Sequence, residues 1–407
     1  MKTILKLLLV LLLILYVCVT LLSVWKLYSP KENGNLPHRK SIFSLNNKLI
    51  KSAYDVPKHS RVQNQAFLFN VNKVEVWGKA AIGTYFWIHV MNADLDNQRN
   101  AMVITSNLTI GNTALMFRTG PGLIQTTAPY DVEHLILILN GRSQEKLVAS
   151  TMWLDYLPQY TKLKKLAVII LGNEECENSW IWPYMKSRGG MIDIAFLVYD
   201  SPMIDNKQFY QWPLGVAVYR GFPNILPEQV DVSSKRPFMC NFLGTVYANS
   251  SRAILMRVIE TSRFWKRCIL KGREKWIPYE TKETFDAYMY SLSHSDLTLS
   301  PVGKNSECYR IYEAMSMGSV PVIEDVVTPG SCDRSNKSPL RLLKKHKAPV
   351  IYIKSWYSLP ELLQRESRLS LSSKVERRRN VVEWYRRFKA KLSNEFIHTI
   401  ENKFFGL

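Results

Sequence analysis

The residues whose types and spacing best suit chemistry lie in 296–325, DLTLSPVGKNSECYRIYEAMSMGSVPVIED. Ser300, Gly303 and Ser306 sit in a polar, glycine-containing turn, and Arg310 and Glu313 follow three residues apart. A helix over 307–317, turning about 100° per residue, puts Ser306, Arg310, Glu313 and Met317 on one side. Cys308, Ile311, Tyr312 and Met315 fall on the other side, against a sheet. Backbone N–H groups at such a helix start form an anion site. Arg310 adds a forked contact to a phosphate, and Glu313 offers two oxygens to ribose hydroxyls. The set reads as a nucleoside-diphosphate site. The same spacing also describes an i,i+3 ion pair on a helix surface, and spacing alone does not separate the two.

The elements around this set are a strand at 297–299, a turn at 300–306, a helix stopped by Gly318 and a strand at 320–323. Such a unit makes the two strands parallel, with ligands at their carboxyl ends. Upstream, 71–77, 132–139, 166–171 and 192–199 read as strands, and 80–90 and 151–156 as helices. Of these, 166–171 and 192–199 are continuous apolar runs of the parallel-sheet type, whereas 71–77 alternates Val with polar residues. Residues 97–127 fit the alternation poorly and are expected to form an antiparallel or looped insert. Pro213, Pro223 and Pro227 mark 212–236 as a linker. A second sheet opens at 237–243, with helices expected at 251–260, 280–294, 339–345 and 359–365 and a strand at 349–353. A basic amphipathic helix follows over 371–404. The expected fold is α/β with two Rossmann-like domains, 66–235 and 236–370, and a helical tail at 371–407.

The chain has 407 residues, a formal net charge of +20, 46% hydrophobic residues and 11 Trp. That composition supports real cores. The positive charge is spread out, and no zinc spacing or nucleic-acid motif accompanies it, so no nucleic-acid partner is expected. Residues 7–25 carry no charge and are long enough to span a bilayer. The expected layout is a short tail at 1–6, an uncleaved anchor at 7–25 and a polar stem at 26–65. Sequons at Asn107, Asn249 and Asn336 suit a lumenal chain. Of six Cys, five lie beyond the anchor, so at least one is unpaired, and the pairing is not legible.

Ser300-Pro301-x-Gly303, Ser306-x-x-x-Arg310-x-x-Glu313-Ala314 and Gly318-Ser319-Val320-Pro321-Val322-Ile323 resemble the donor half-site of exostosin-type glycosyltransferases of the GT-B fold. Longer stretches, among them Val74-Glu75-Val76-Trp77-Gly78-Lys79, Ile138-Leu139-Asn140-Gly141-Arg142 and Cys240-Asn241-Phe242-Leu243-Gly244-Thr245, resemble the ribitol-5-phosphate xylosyltransferase family. The resemblance implies a Golgi membrane enzyme with a UDP-xylose donor. It implies a phosphorylated O-mannosyl glycan acceptor on α-dystroglycan, with fukutin and fukutin-related protein as neighbours. An exostosin-like transferase with another UDP-sugar, or an inactive glycan-binding protein that kept the fold, are the rival readings.

An inverting transfer needs one general base and positive groups for the departing diphosphate. Arg310 suits the second role. Asp200, at a strand end, is the expected base, with Glu174, Glu175 and Asp155 behind it; an Asx-type turn into Ser201-Pro202 explains Asp200 equally well. Gly78, Lys79, Arg142, Glu174 and Arg220 are candidates for the acceptor side. Asp94-Leu95-Asp96 has the form of a manganese triplet but follows a helix rather than a strand end. No cofactor is expected to be required, and no strict divalent-metal requirement is expected.

Overall fold

The computed structural model describes residues 71–95, 101–335 and 337–407, all within the compact unit Leu68–Leu407. The expected anchor and stem, Asp96 and Asn336 lie outside the described residues. Among the described residues no helix is long and apolar enough to cross a membrane.

The first half is a seven-stranded sheet. Its strands are β1 (Asn72–Gly78), β2 (Ile104–Ile110), β3 (Thr113–Thr119), β4 (His134–Asn140), β5 (Lys165–Leu171), β6 (Ile194–Val198) and β7 (Phe209–Trp212), in the order β2-β3-β1-β4-β5-β6-β7. Neighbours run parallel except for β2 against β3. The insert is therefore an antiparallel edge hairpin, turned by Gly111 at φ +56°. The central strands are apolar throughout because both faces are covered. Leu135, Leu137 and Leu139 join a core with Trp77 and Trp153, while Ile136 and Ile138 join Phe86, Trp87 and Phe117 on the other face. The helix expected over 80–90 is α1 (Ile82–Thr84), continued as a π-helical stretch over Tyr85–Val90. The helix α2 (Gln144–Tyr156) connects β4 to β5.

The second half is an all-parallel sheet of β8 (Phe238–Thr245), β9 (Cys268–Arg273), β10 (Ser295–Ser300), β11 (Val320–Glu324) and β12 (Ile351–Ile353), ordered β12-β11-β10-β8-β9. Its helices are α3 (Ser251–Glu260), α4 (Lys282–His294), α5 (Tyr309–Ser316), α6 (Arg341–Lys345) and α7 (Leu359–Glu366). Ser250 and Thr281 cap α3 and α4 by accepting the N–H groups of Ala253 and Thr284. Strand order reverses between β8 and β10, which opens a ligand crevice at their carboxyl ends. Two strands escaped the sequence reading. β7 abuts the linker, and β9 carries Lys271 and Gly272 and so lacks a clean apolar run.

The long helix α8 (Leu371–Phe405) packs on both halves. Near its start Lys374 and Arg378 pair with Asp296 at the start of β10. Further on, the Tyr385 ring lies 6.1 Å from Tyr312 and its hydroxyl 3.3 Å from that of Tyr85. Phe396 meets Phe86, Phe196 and Trp212 at 5.0, 4.8 and 5.5 Å. Two disulfides form. Cys176–Cys332 joins the two halves, and Cys240–Cys268 staples β8 to β9, leaving Cys308 free among the described cysteines.

Candidate functional site

The carboxyl ends of both sheets meet at one seam. From the second half, Arg310 on the first turn of α5 lies over the Phe242 ring at 5.0 Å and donates to the Leu243 carbonyl at 3.0 Å. A second arginine, Arg252 on α3, donates to the Thr245 carbonyl at 2.9 Å. Both Nε atoms are buried without a partner, and among the described residues neither guanidinium is paired with a carboxylate. Burial, and then the like charge of Arg310, lower the pKa of Arg252. Two arginines that repel each other, with unused donors, form a site that a dianionic group would satisfy.

Glycines make room for both. A Cβ on Gly244 would lie 2.8 Å from Arg310 Nη2, and one on Gly303 2.8 Å from Arg252 Nη2. Arg252 was missed from sequence although the signal was present. Like Arg310, it follows a strand end and a polar loop and sits on a helix first turn.

The other expected donor residues are placed differently. Glu313 is 4% exposed, not on an open stripe. Its oxygens accept from the Tyr288 hydroxyl and the Ala217 N–H. Burial raises its pKa against those two donors. The expected open face of this helix is closed because α4, the linker and α8 all cover it. An exposed Arg310–Glu313 ion pair is absent for the same reason. Ser306 is buried and donates to the Val326 carbonyl, so it ties the loop down. Ser300 is buried at the end of β10, with its hydroxyl unpartnered.

From the first half, Arg142 follows β4 and Glu174 follows β5. They form an ion pair, and Arg142 lies 5.8 Å from the Tyr309 ring beside Arg310. Glu174 keeps about a third of its side chain exposed at 31%. These two are the first-half candidates that the fold brings to the second-half arginines. Glu175 pairs with Lys304 at 3.3 Å, and Asp155 accepts from Tyr184 on α2's own side.

Asp200 does not stand open at the seam. It follows Tyr199, a buried residue held at φ +71°. Its carboxylate accepts from Gln211 at 2.8 Å and from the Arg341 N–H at 3.0 Å, with the Arg341 guanidinium at 3.4 Å. At 7% exposure it clasps the two halves together. Gly78 is a packing glycine, since a Cβ there would meet Phe117 at 2.9 Å. The Lys79 ammonium is taken by the carbonyls of Gly120 and Leu123. Arg220 is locked on Glu280 at 2.6 Å and the Ile277 carbonyl at 2.7 Å. Neither cation is free for an acceptor phosphate. Asp94 is exposed, and its carbonyl accepts from Trp87 and Ser106. Asn107 on β2 and Asn249 before α3 are exposed.

Two α/β halves with largely parallel sheets that meet along their carboxyl edges, with an unpaired arginine couple at the crevice of the second, resemble the GT-B glycosyltransferase class. Sequence comparison gives the family. Residues 74–213 match the RXYLT1 N-terminal domain and residues 219–405 the RXYLT1 C-terminal domain. Proteins named ribitol-5-phosphate xylosyltransferase 1 from Danio rerio and Homo sapiens are 47% and 45% identical over 82% and 81% of this chain and 78% and 76% of their own. The Mus musculus protein of that name is 45% identical over 82% of this chain and 77% of its own. The chain belongs to the ribitol-5-phosphate xylosyltransferase 1 family. Among solved structures, the catalytic domain of starch synthase IV from Arabidopsis thaliana bound to ADP and acarbose aligns over 82% of this chain and 99% of its own, at 8% identity and TM-score 0.42.

Proposed function

We propose that this chain is an inverting xylosyltransferase that moves xylose from UDP-xylose to ribitol-5-phosphate on a glycan. The carrying observation is the Arg252–Arg310 couple at the β8–β10 crevice, two fixed charges without carboxylate partners. The relatives' name, ribitol-5-phosphate xylosyltransferase 1, supplies the sugar and the acceptor. In this reading both arginines hold the diphosphate and stabilise the charge that grows on it as the glycosidic bond breaks. Glu174 takes the proton of the attacking hydroxyl, because it is a partly exposed carboxylate on the first-half side of the arginines. Arg142 beside it orients that carboxylate and offers an N–H edge to the acceptor phosphate. Asp200 acts one step back, by fixing the first half against the second.

The finer reading extends to place and partners. The charge-free run at 7–25 and the sequons support a type II Golgi membrane protein with its catalytic part in the lumen. The acceptor would be the O-mannosyl glycan of α-dystroglycan, with fukutin and fukutin-related protein acting on the same glycan. The test is a donor-by-acceptor screen with the full-length protein in detergent. Transfer from UDP-xylose to a ribitol-5-phosphate acceptor is expected above other UDP-sugars. No turnover with any ribitol-phosphate acceptor would sink the reading. Activity should survive chelator, since fixed cations serve the leaving group; complete loss restored by manganese would make a metal essential.

A further inference from the structure

The connection after β9 leaves Trp276, Ile277 and Tyr279 at 56, 42 and 73% exposure, yet its polar groups are firmly held. Arg220 from the linker binds Glu280 and the Ile277 carbonyl, and its guanidinium lies 5.6 Å from the Trp276 ring and 5.5 Å from Tyr219. Arg273 grips Glu280 at 3.1 and 3.2 Å and reaches Thr245 Oγ1 at 3.4 Å. The Thr245 carbonyl in turn fixes Arg252. Tyr219 meets Tyr309 edge-on at 5.7 Å, next to Arg310. An exposed indole is thus built into a rigid frame tied by two routes to the arginine couple.

Strand order decides what the ring faces. A diphosphate in the β8–β10 crevice has two substituents. One points toward Arg142 and Glu174 of the first half. The other lies over the second sheet, on the β9 side or the β11 side. On the β11 side the polar groups close on themselves, since Glu324 accepts from the Val302 N–H, Ser251 and Trp356. The β9 side presents an open aromatic face instead.

We propose that Trp276 is the stacking surface for the nucleobase of a nucleoside-diphosphate donor, held in place by Arg220, Arg273 and Glu280. The proposal deepens the donor-site reading and rests on it. Stacking on an aromatic ring accepts any base through its π face, so Trp276 supplies affinity for the nucleoside part and leaves the sugar and phosphate contacts alone.

Calorimetry on the full-length protein with UDP and with inorganic pyrophosphate, beside transfer kinetics, tests it. Trp276→Ala should weaken UDP binding and raise the donor KM by about 10- to 100-fold. The kcat at saturating donor and the pyrophosphate affinity should stay unchanged. Trp276→Phe should recover most of the UDP affinity, because a π face remains. Arg310→Ala should lose both ligands. Unchanged UDP affinity in Trp276→Ala, or an equal loss of UDP and pyrophosphate, would overturn the stacking role while the diphosphate site stands. A parent protein that binds neither ligand would remove the donor-site reading, and the stacking role with it.

Discussion

Arg310 carries different expectations now that its surroundings are known. Its charge is not spent on Glu313, so Arg310→Ala should lower turnover on the order of 100-fold or more while the melting temperature stays near that of the parent. Arg252→Ala should do the same, and Arg310→Lys should rescue only in part, because an ammonium cannot fork. Steady-state rates on folded variants decide this; parental turnover in either alanine variant would refute the couple. A second residue-scale prediction concerns Glu307, a buried carboxyl whose pKa burial lifts from the ordinary 4.5 to about 7 against the Leu214 N–H and the Tyr312 hydroxyl. The folded chain therefore holds this proton more tightly than the unfolded chain. The stability it contributes is fully present below about pH 4.5 and is lost as pH rises through about 7. Thermal melts from pH 4.5 to 8 should show Glu307→Gln flattening part of the parent's decline, and identical slopes would contradict the assignment.

At the scale of elements, α8 is docked through charge as well as apolar packing. Arg378 is 1% exposed, and it holds Asp296 and the carbonyls of Val232 and Ser234. Arg378→Met leaves a buried carboxylate short of a partner and should cost about 3 kcal/mol. Arg386→Ala, which breaks an exposed pair with Glu383, should cost at most about 1 kcal/mol. Urea unfolding of both variants checks the contrast, and equal costs would mean that the buried pair does not hold the helix.

For the whole molecule, Cys176–Cys332 closes a separation of 156 residues and ties one half to the other. Peptide mapping without reduction should return Cys176–Cys332 and Cys240–Cys268, with Cys308 the one cysteine of residues 71–407 that takes an alkylating reagent. Cys176→Ser should lower stability by about 2–5 kcal/mol, because the unfolded chain regains its freedom. A different pairing in the map would be incompatible with how the halves are joined.

The sequence by itself determined the element types and most of their boundaries. Apolar runs such as 166–171 can only be buried on two faces, and the caps Ser250 and Thr281 announce their helices locally. It also singled out Arg310, through a loop-to-helix spacing that spans a few residues. What it left open depends on groups distant along the chain. Whether Glu313 faces a ligand or the interior turns on Ala217 and Tyr288, 96 and 25 residues away. Whether Asp200 is a base or a clasp turns on Arg341, 141 residues on. The pairing of Arg252 with Arg310, the choice among five cysteines and the placing of Trp276 are likewise set by which strand ends meet. Hydrophobic periodicity records which face of an element is covered, but not by what, and the covering groups decide which polar residues remain free for chemistry.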